Sequence, residues 1–450
     1  MPFRSFLKKS CCHSKTPSEN PPPPESHRSI PVPAHFNFWK KLFAFSGPGF
    51  LVAVGYMDPG NWATDLAAGS QFNYSLLCVI FISNVMAMFL QTLSLKLGIV
   101  TERDLAQTCR SHYSSPVNFI LWIFCELAIA ACDLAEIIGS AIALNLLFHI
   151  PILWGVCITA LDVFALLFLQ QKGFRYLEAL VITLIGVIGI CFGLEILFSH
   201  PSASSIAAGF IPHLEIVTHP GMLYIAIGIL GATVMPHNLY LHSSIVQTRS
   251  YPLTQLGKRE AIRFASIDSN MALFLAMFIN AAILIVAAAT FFKAGRHDVA
   301  EIQDAYKLLS PMLGITGAST LFAIALLAAG QNSTLTGTMA AQIVMEGFLQ
   351  LRMKPWMRRL LTRSLALIPT LIVVWLMGDR GMNQLLLASQ VVLSMQLSFA
   401  VIPLVSFTND SKKMGEFVNS RIMKIAAWSV AGVIVSLNGW LLILTVKSWL

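Results

Sequence analysis

Charge is scarce in this chain. Only 12% of its 450 residues are Asp, Glu, Lys or Arg, while 56% are hydrophobic and the mean hydropathy is +0.70. A soluble domain carries roughly 25% charge, so a water-soluble globule is excluded and a membrane protein is indicated. Paired cysteines are also missing. Of the eight, only Cys11 and Cys12 are close together, and neither a disulfide framework nor zinc spacing is supported. No Gly-x-x-x-x-Gly-Lys-Ser/Thr loop occurs, so nothing indicates ATP drive. No His-Glu-x-x-His occurs either, and His237 and His242 are five apart, a poor pair for a catalytic zinc. An enzyme is therefore not expected, nor a resident cofactor. The net charge is +8, but the basic residues lie in short loops beside apolar spans, which argues against nucleic acid.

Apolar runs of about 18 to 25 residues recur instead, each long enough to cross a bilayer. Eleven spans are expected, near 43–70, 74–98, 117–146, 151–170, 175–198, 221–247, 263–292, 311–349, 360–377, 382–407 and 424–446. Residues 1–38 are polar, contain Pro21 to Pro24 in a row and lack an apolar signal core, so they read as a disordered cytoplasmic tail ahead of a transporter domain over 39–450. With the N-terminus inside, all Lys and Arg but Lys293, Arg296, Lys307, Arg380 and Lys447 fall on the cytoplasmic side. That bias places the C-terminus outside and suits a plasma (inner) membrane protein. Gly186, Gly189 and Gly193 in the fifth span suggest close helix packing.

Two strings stand out against this apolar background. Asp58-Pro59-Gly60-Asn61 interrupts the first span and Met235-Pro236-His237-Asn238 the sixth. Pro removes a backbone donor and Gly loosens a helix, and carbonyls freed within lipid must find partners. Spans one to five (about 43–198) and six to ten (about 221–407) overlay with the breaks at matching places. Five is odd, so the halves are inverted. The expected fold is all-α, with about eleven transmembrane helices in a LeuT-like 5+5 inverted repeat, broken helices 1 and 6, and an extra helix near 424–446. Asp58 offers a carboxylate, Asn61 an amide oxygen and Met235 a thioether, with unwound carbonyls near Gly55 and Ala232. Sulfur adds little for Ca²⁺ or Mg²⁺ and is accepted by ions from Mn²⁺ to Zn²⁺ and by Cd²⁺. The site thus reads as one for transition-metal cargo, with Asp65 assisting entry.

Gly55-Tyr56-Met57-Asp58-Pro59-Gly60-Asn61 and Ala232-Thr233-Val234-Met235-Pro236-His237-Asn238-Leu239-Tyr240-Leu241-His242-Ser243 resemble the two signature segments of the Nramp family of proton-coupled divalent metal importers. The resemblance covers about residues 43–446. It implies alternating-access import of Mn²⁺ and Fe²⁺, with Cd²⁺, Co²⁺ and Zn²⁺ as further cargo, by H⁺ symport. It also implies metal ligation by Asp58, Asn61 and Met235, with the backbone carbonyls of Gly55 and Ala232 near the ion. The family's span-ten glutamine corresponds to Gln390. Position 55 is Gly where many members carry Ala, which leads one to expect a looser pocket.

Protons need their own route. Glu126, Asp133 and Glu136 in the third span share one helical face, and acids at such depth face the protein interior or water. Cys132-Asp133-Leu134-Ala135-Glu136 resembles the family's third-helix proton segment, and Arg363 is a candidate partner for these acids. The resemblance places His237 on the proton side, while His242 reads as peripheral. The rival readings are a LeuT-fold carrier of a small organic substrate such as an amino acid, a channel, and an intramembrane metalloenzyme.

Overall fold

The computed structural model describes residues 27–33, 36–159, 161, 173–297, 299, 301–351 and 355–449, and nearly all of them are helical. Among the described residues, seven helices are long and apolar enough to cross a membrane: Leu77–Thr101, Ser115–Phe148, Phe174–Ser199, Pro220–Thr248, Gln255–Ala294, Gly381–Asn409 and Arg421–Ile443. The first expected span is built from shorter pieces, Pro48–Val54, the 3₁₀ turn Gly55–Met57 and Pro59–Phe72. The sixth comprises Pro220–Thr233 and Pro236–Ile245. Most of the fourth span, at 162–172, lies outside the described residues. Residues expected as the ninth and tenth spans belong to one continuous helical stretch, Pro355–Asn409, without an intervening loop.

Both breaks arise from the same local chemistry. Pro59 and Pro236 each occupy the first turn of the second half-helix. There a missing N–H costs nothing and the fixed φ is already helical. The residue before proline is pushed out of the α region. Accordingly Asp58 (φ −70°, ψ 165°) and Met235 (φ −70°, ψ 124°) are both extended. Each proline thus stops one helix and starts the next, and Asp58 becomes an N-cap, its carboxylate accepting from the Asn61 amide.

The packing glycines are not those of the fifth span. Gly186, Gly189 and Gly193 meet no neighbour among the described residues, because Phe174–Ser199 turns that side outward. Close approach occurs at the breaks instead: a Cβ on Gly139 would collide with Pro59, and one on Gly231 with the Gln390 carbonyl. The N-terminal segment also differs from expectation, being packed from residue 27 onward. Ile30–Pro31 forms a parallel two-residue ladder with Arg249–Ser250, extended by Arg28 N donating to the Gln247 carbonyl at 3.0 Å. Chain emerging from the second break exposes unpaired backbone groups, and a neighbouring extended segment satisfies them.

Candidate functional site

The two breaks meet, and the Asn61 side chain lies where they do. Its Nδ2 donates to Asp58 Oδ1 at 2.6 Å, to the Ala232 carbonyl at 3.1 Å and to the Gly55 carbonyl at 3.4 Å. Three oxygens from two half-helix ends therefore converge on one point, presently held by the positive end of an amide dipole. Asp58 Oδ2 is buried without a hydrogen-bond partner among the described residues. An orphaned acceptor of this kind costs about 1–3 kcal/mol, and more when charged. Met235 is fully buried, and its sulfur lies 3.2 Å from where a Cβ on Gly55 would stand. Turning the Asn61 amide would present its oxygen to a cation at the same point. Among the described residues no three His, Cys, Asp or Glu side chains gather as a metal cluster. A cation here relies on one carboxylate supported by neutral oxygen and sulfur donors.

Neighbouring polar groups fix this arrangement. Asn280 Nδ2 donates to the Tyr56 carbonyl at 2.8 Å and to Asn61 Oδ1 at 3.3 Å, so the seventh-span helix holds the amide in place. Gln390 packs its side-chain amide directly against Gly60, and its Oε1 is buried without a partner among the described residues. Asp65 is buried two turns beyond Asp58 on the same half-helix, with an unpartnered Oδ2 among the described residues. Asn84 donates to the Leu273 carbonyl at 3.2 Å, a bond between helices.

Gly55 does not loosen the pocket. The Asn238 side chain fills the space a Cβ would take and donates to the Val52 carbonyl at 3.5 Å. Asn238 was not expected here from the sequence, although it closes the second signature string. Gly55→Ala should push Asn238 and Met235 aside and weaken Mn²⁺ affinity about tenfold, the lower end of what disturbing a supporting group costs. Isothermal titration would decide it, and an unchanged affinity would mean that Asn238 yields freely.

The third-span acids flank the site. Pro59 rests on Gly139, and Met235 packs with Ala128, Cys132 and Leu393. Glu136 Oε1 accepts from Ser333 Oγ at 2.8 Å, and a Cβ on Gly337 would stand 2.9 Å from Glu136 Oε1 and 3.4 Å from Asp133 Oδ1. Both acids therefore face the helix Ala318–Leu349. Glu126 is half-buried and accepts from Trp122 Nε1 at 2.9 Å, nearer the lipid-facing side. The side chain of Arg363 lies outside the described residues. His237 is buried, with Nδ1 unpartnered among the described residues. His242 is not peripheral: it is fully buried and pairs with Gln91 Oε1 at 2.9 Å, while Gln91 Nε2 donates to Tyr56 Oη at 2.9 Å. A polar residue nearly two helical turns past a break points inward because every side of that half-helix is covered.

A second cluster went unnoticed in the sequence. Arg249 is fully buried and donates to Glu178 Oε1 at 2.7 Å, to the Ser46 carbonyl at 2.6 Å and to the Ala44 carbonyl at 3.1 Å. Arg175 adds bonds to the Ser46 and Ala44 carbonyls, both at 2.9 Å. Asp268 accepts from Gly47 N at 3.2 Å and Gly49 N at 2.7 Å. The segment leading into the first half-helix is thereby tied to the fifth and seventh spans. An arginine directly after the sixth span and acids inside the fifth and seventh were the available signal.

Comparison with known proteins agrees with this architecture. Residues 49–444 match the family model for natural resistance-associated macrophage protein-like (Nramp) proteins. The chain is 65% identical over 424 residues to the divalent metal cation transporter MntH of Listeria innocua, covering 94% of this chain and 95% of that one. It is 63% identical over 436 residues to MntH of Nostoc sp., covering 97% and 99%. A crystal structure of the Eremococcus coleocola manganese transporter superposes with a TM-score of 0.87 at 44% identity, covering 93% of this chain and 90% of that one. Inward-facing Mhp1 (TM-score 0.55, 11% identity, covering 94% and 93%) and MhsT (0.59, 14%, covering 87% and 98%) share the fold alone.

Proposed function

The chain belongs to the Nramp family, and from that premise we propose that it imports divalent transition-metal ions, Mn²⁺ and Fe²⁺ first, together with protons. The family consists of transporters rather than enzymes, in a multi-pass membrane fold. The observation that carries the reading is the convergence of Asp58 Oδ1 and the Gly55 and Ala232 carbonyls on the Asn61 amide, beside the Met235 sulfur. An unpaired Asp58 oxygen adds negative charge where unwound helix ends already present carbonyls. An organic substrate would bring its own carboxylate to this point and be repelled by Asp58.

In the proposed cycle, Asp58, Asn61 and Met235 replace part of the hydration shell of the ion. Gln390, packed on Gly60, adds an oxygen as the halves close. Protons travel on the third-span side through Asp133 and Glu136, with Glu126 and Arg363 farther along that face, and His237 serves the second break. The N-terminus lies in the cytoplasm and the C-terminus outside, as the distribution of Lys and Arg favours. The tail expected over residues 1–38 lies on the cytoplasmic side in this reading, with its part from residue 27 packed against the transport domain.

The test is uptake of Mn²⁺ into proteoliposomes with an imposed inward pH gradient, with Ca²⁺ and Mg²⁺ as competitors. Wild type should accumulate Mn²⁺ in proportion to the gradient and resist both competitors. Met235→Ala should lose that discrimination, because hard ions gain little from the sulfur that the variant removes. Unaltered discrimination would refute the thioether role, and uptake indifferent to pH would refute proton coupling.

A further inference from the structure

At the end of the bundle that carries the N-terminal segment, the helix Phe38–Phe45 and the first turns of Gln255–Thr290 enclose a cavity of about 430 Å³. Phe38, Lys41, Arg259, Glu260, Arg263 and Phe264 line it among others. Its charges do not cancel. Lys41 Nζ is held by Glu260 Oε1 at 2.5 Å, which consumes the acid. Among the described residues Arg259 reaches only Glu416, at 3.6 Å and with both side chains more than half exposed. Arg263 is exposed and has no ion-pair or hydrogen-bond partner among the described residues. Two guanidinium groups therefore front a cavity whose wall is aromatic, with the Phe38 and Phe264 rings 5.3 Å apart.

The surroundings are apolar and uncovered. Leu256, Arg259, Glu260 and Arg263 fall at i, i+3, i+4 and i+7 of one helix, so Leu256, 79% exposed, shares the face of the two arginines. On the adjoining short helix Trp39 is 65% and Phe43 74% exposed. Aromatic rings beside Lys and Arg at the end of a membrane helix mark the boundary between water and hydrocarbon. A soluble anion would satisfy the guanidinium groups and leave this apolar rim bare. A phospholipid answers both, since guanidinium forks match phosphate oxygens and acyl chains cover the rim.

We propose that this cavity binds the phosphodiester headgroup of an anionic phospholipid, with Arg259 and Arg263 as its donors and Trp39, Phe43 and Leu256 against its chains. The site is separate from the paired breaks and does not depend on which ion they carry. The full chain and the double variant Arg259→Gln/Arg263→Gln would be reconstituted in vesicles of phosphatidylcholine and phosphatidylglycerol. Retained lipid would then be measured by native mass spectrometry after extraction. Wild type should retain phosphatidylglycerol over phosphatidylcholine, and the double variant should bind it roughly thirtyfold more weakly, the loss expected for two cations at a membrane surface. Both positions are exposed, so folding should survive, and Mn²⁺ binding at the breaks serves as the control. Equal retention by the two proteins would overturn the proposal. So would displacement of the lipid by inorganic phosphate, which would assign the cavity to a soluble anion.

Discussion

Asp58→Ala is expected to abolish Mn²⁺ uptake while leaving the protein folded. The substitution removes the one carboxylate at the meeting point of the breaks and the acceptor for two Asn61 bonds, at 2.8 Å from its N and 2.6 Å from its Nδ2. Disturbing groups that merely support a metal ligand costs roughly 10–100-fold in affinity, so losing the charged ligand itself should exceed about 100-fold. Loss of the N-cap costs only about 1 kcal/mol, and Pro59 still starts the half-helix, so folding is spared. Asp58→Asn separates charge from shape: it keeps the cap and should still fail to transport. Uptake by Asp58→Asn within tenfold of wild type would remove the carboxylate from the site.

The second large effect concerns Arg249. Arg249→Ala should destabilise the protein by about 3–5 kcal/mol, as removing one partner of a buried ion pair generally does. The lower end is expected, because Glu178 keeps Arg175 at 3.1 Å. More telling is where the damage falls. The Ala44 and Ser46 carbonyls lose their bonds from Arg249, and the strand Arg249–Ser250 that holds Ile30–Pro31 loses its anchor. A cysteine introduced at Ala44, buried in wild type, should then react rapidly with a water-soluble maleimide. Arg249→Lys should rescue little, since an ammonium cannot supply a guanidinium's fork of donors. Unchanged melting and unchanged labelling together would show that this end of the first helix is held by packing alone.

Much of the molecule was legible before its structure. Long apolar runs identify membrane helices because lipid accepts no unpaired backbone. The breaks were legible because Pro and Gly act locally, through φ and a missing donor, whatever surrounds them. Expectations failed where the outcome depended on a neighbour distant in sequence. Gly186, Gly189 and Gly193 have the spacing of a packing seam, yet among the described residues nothing lies against them. His242 looked remote from the break by numbering, but Gln91, 151 positions away, completes its bond. Gly55 read as slack, and Asn238 fills the space.

The amino-acid sequence alone determined that the chain lives in a bilayer, that two helices break at Pro59 and Pro236, and that the breaks carry a carboxylate, an amide and a thioether. Each of these follows from side-chain chemistry and local backbone geometry. Only the tertiary structure decided that the Asn61 amide meets the Gly55 and Ala232 carbonyls at one point, and that Arg249 and Asp268 hold the entrance to the first helix. Those contacts join residues up to some two hundred positions apart. Their geometry follows from how the helices cross, which side-chain identity by itself does not specify.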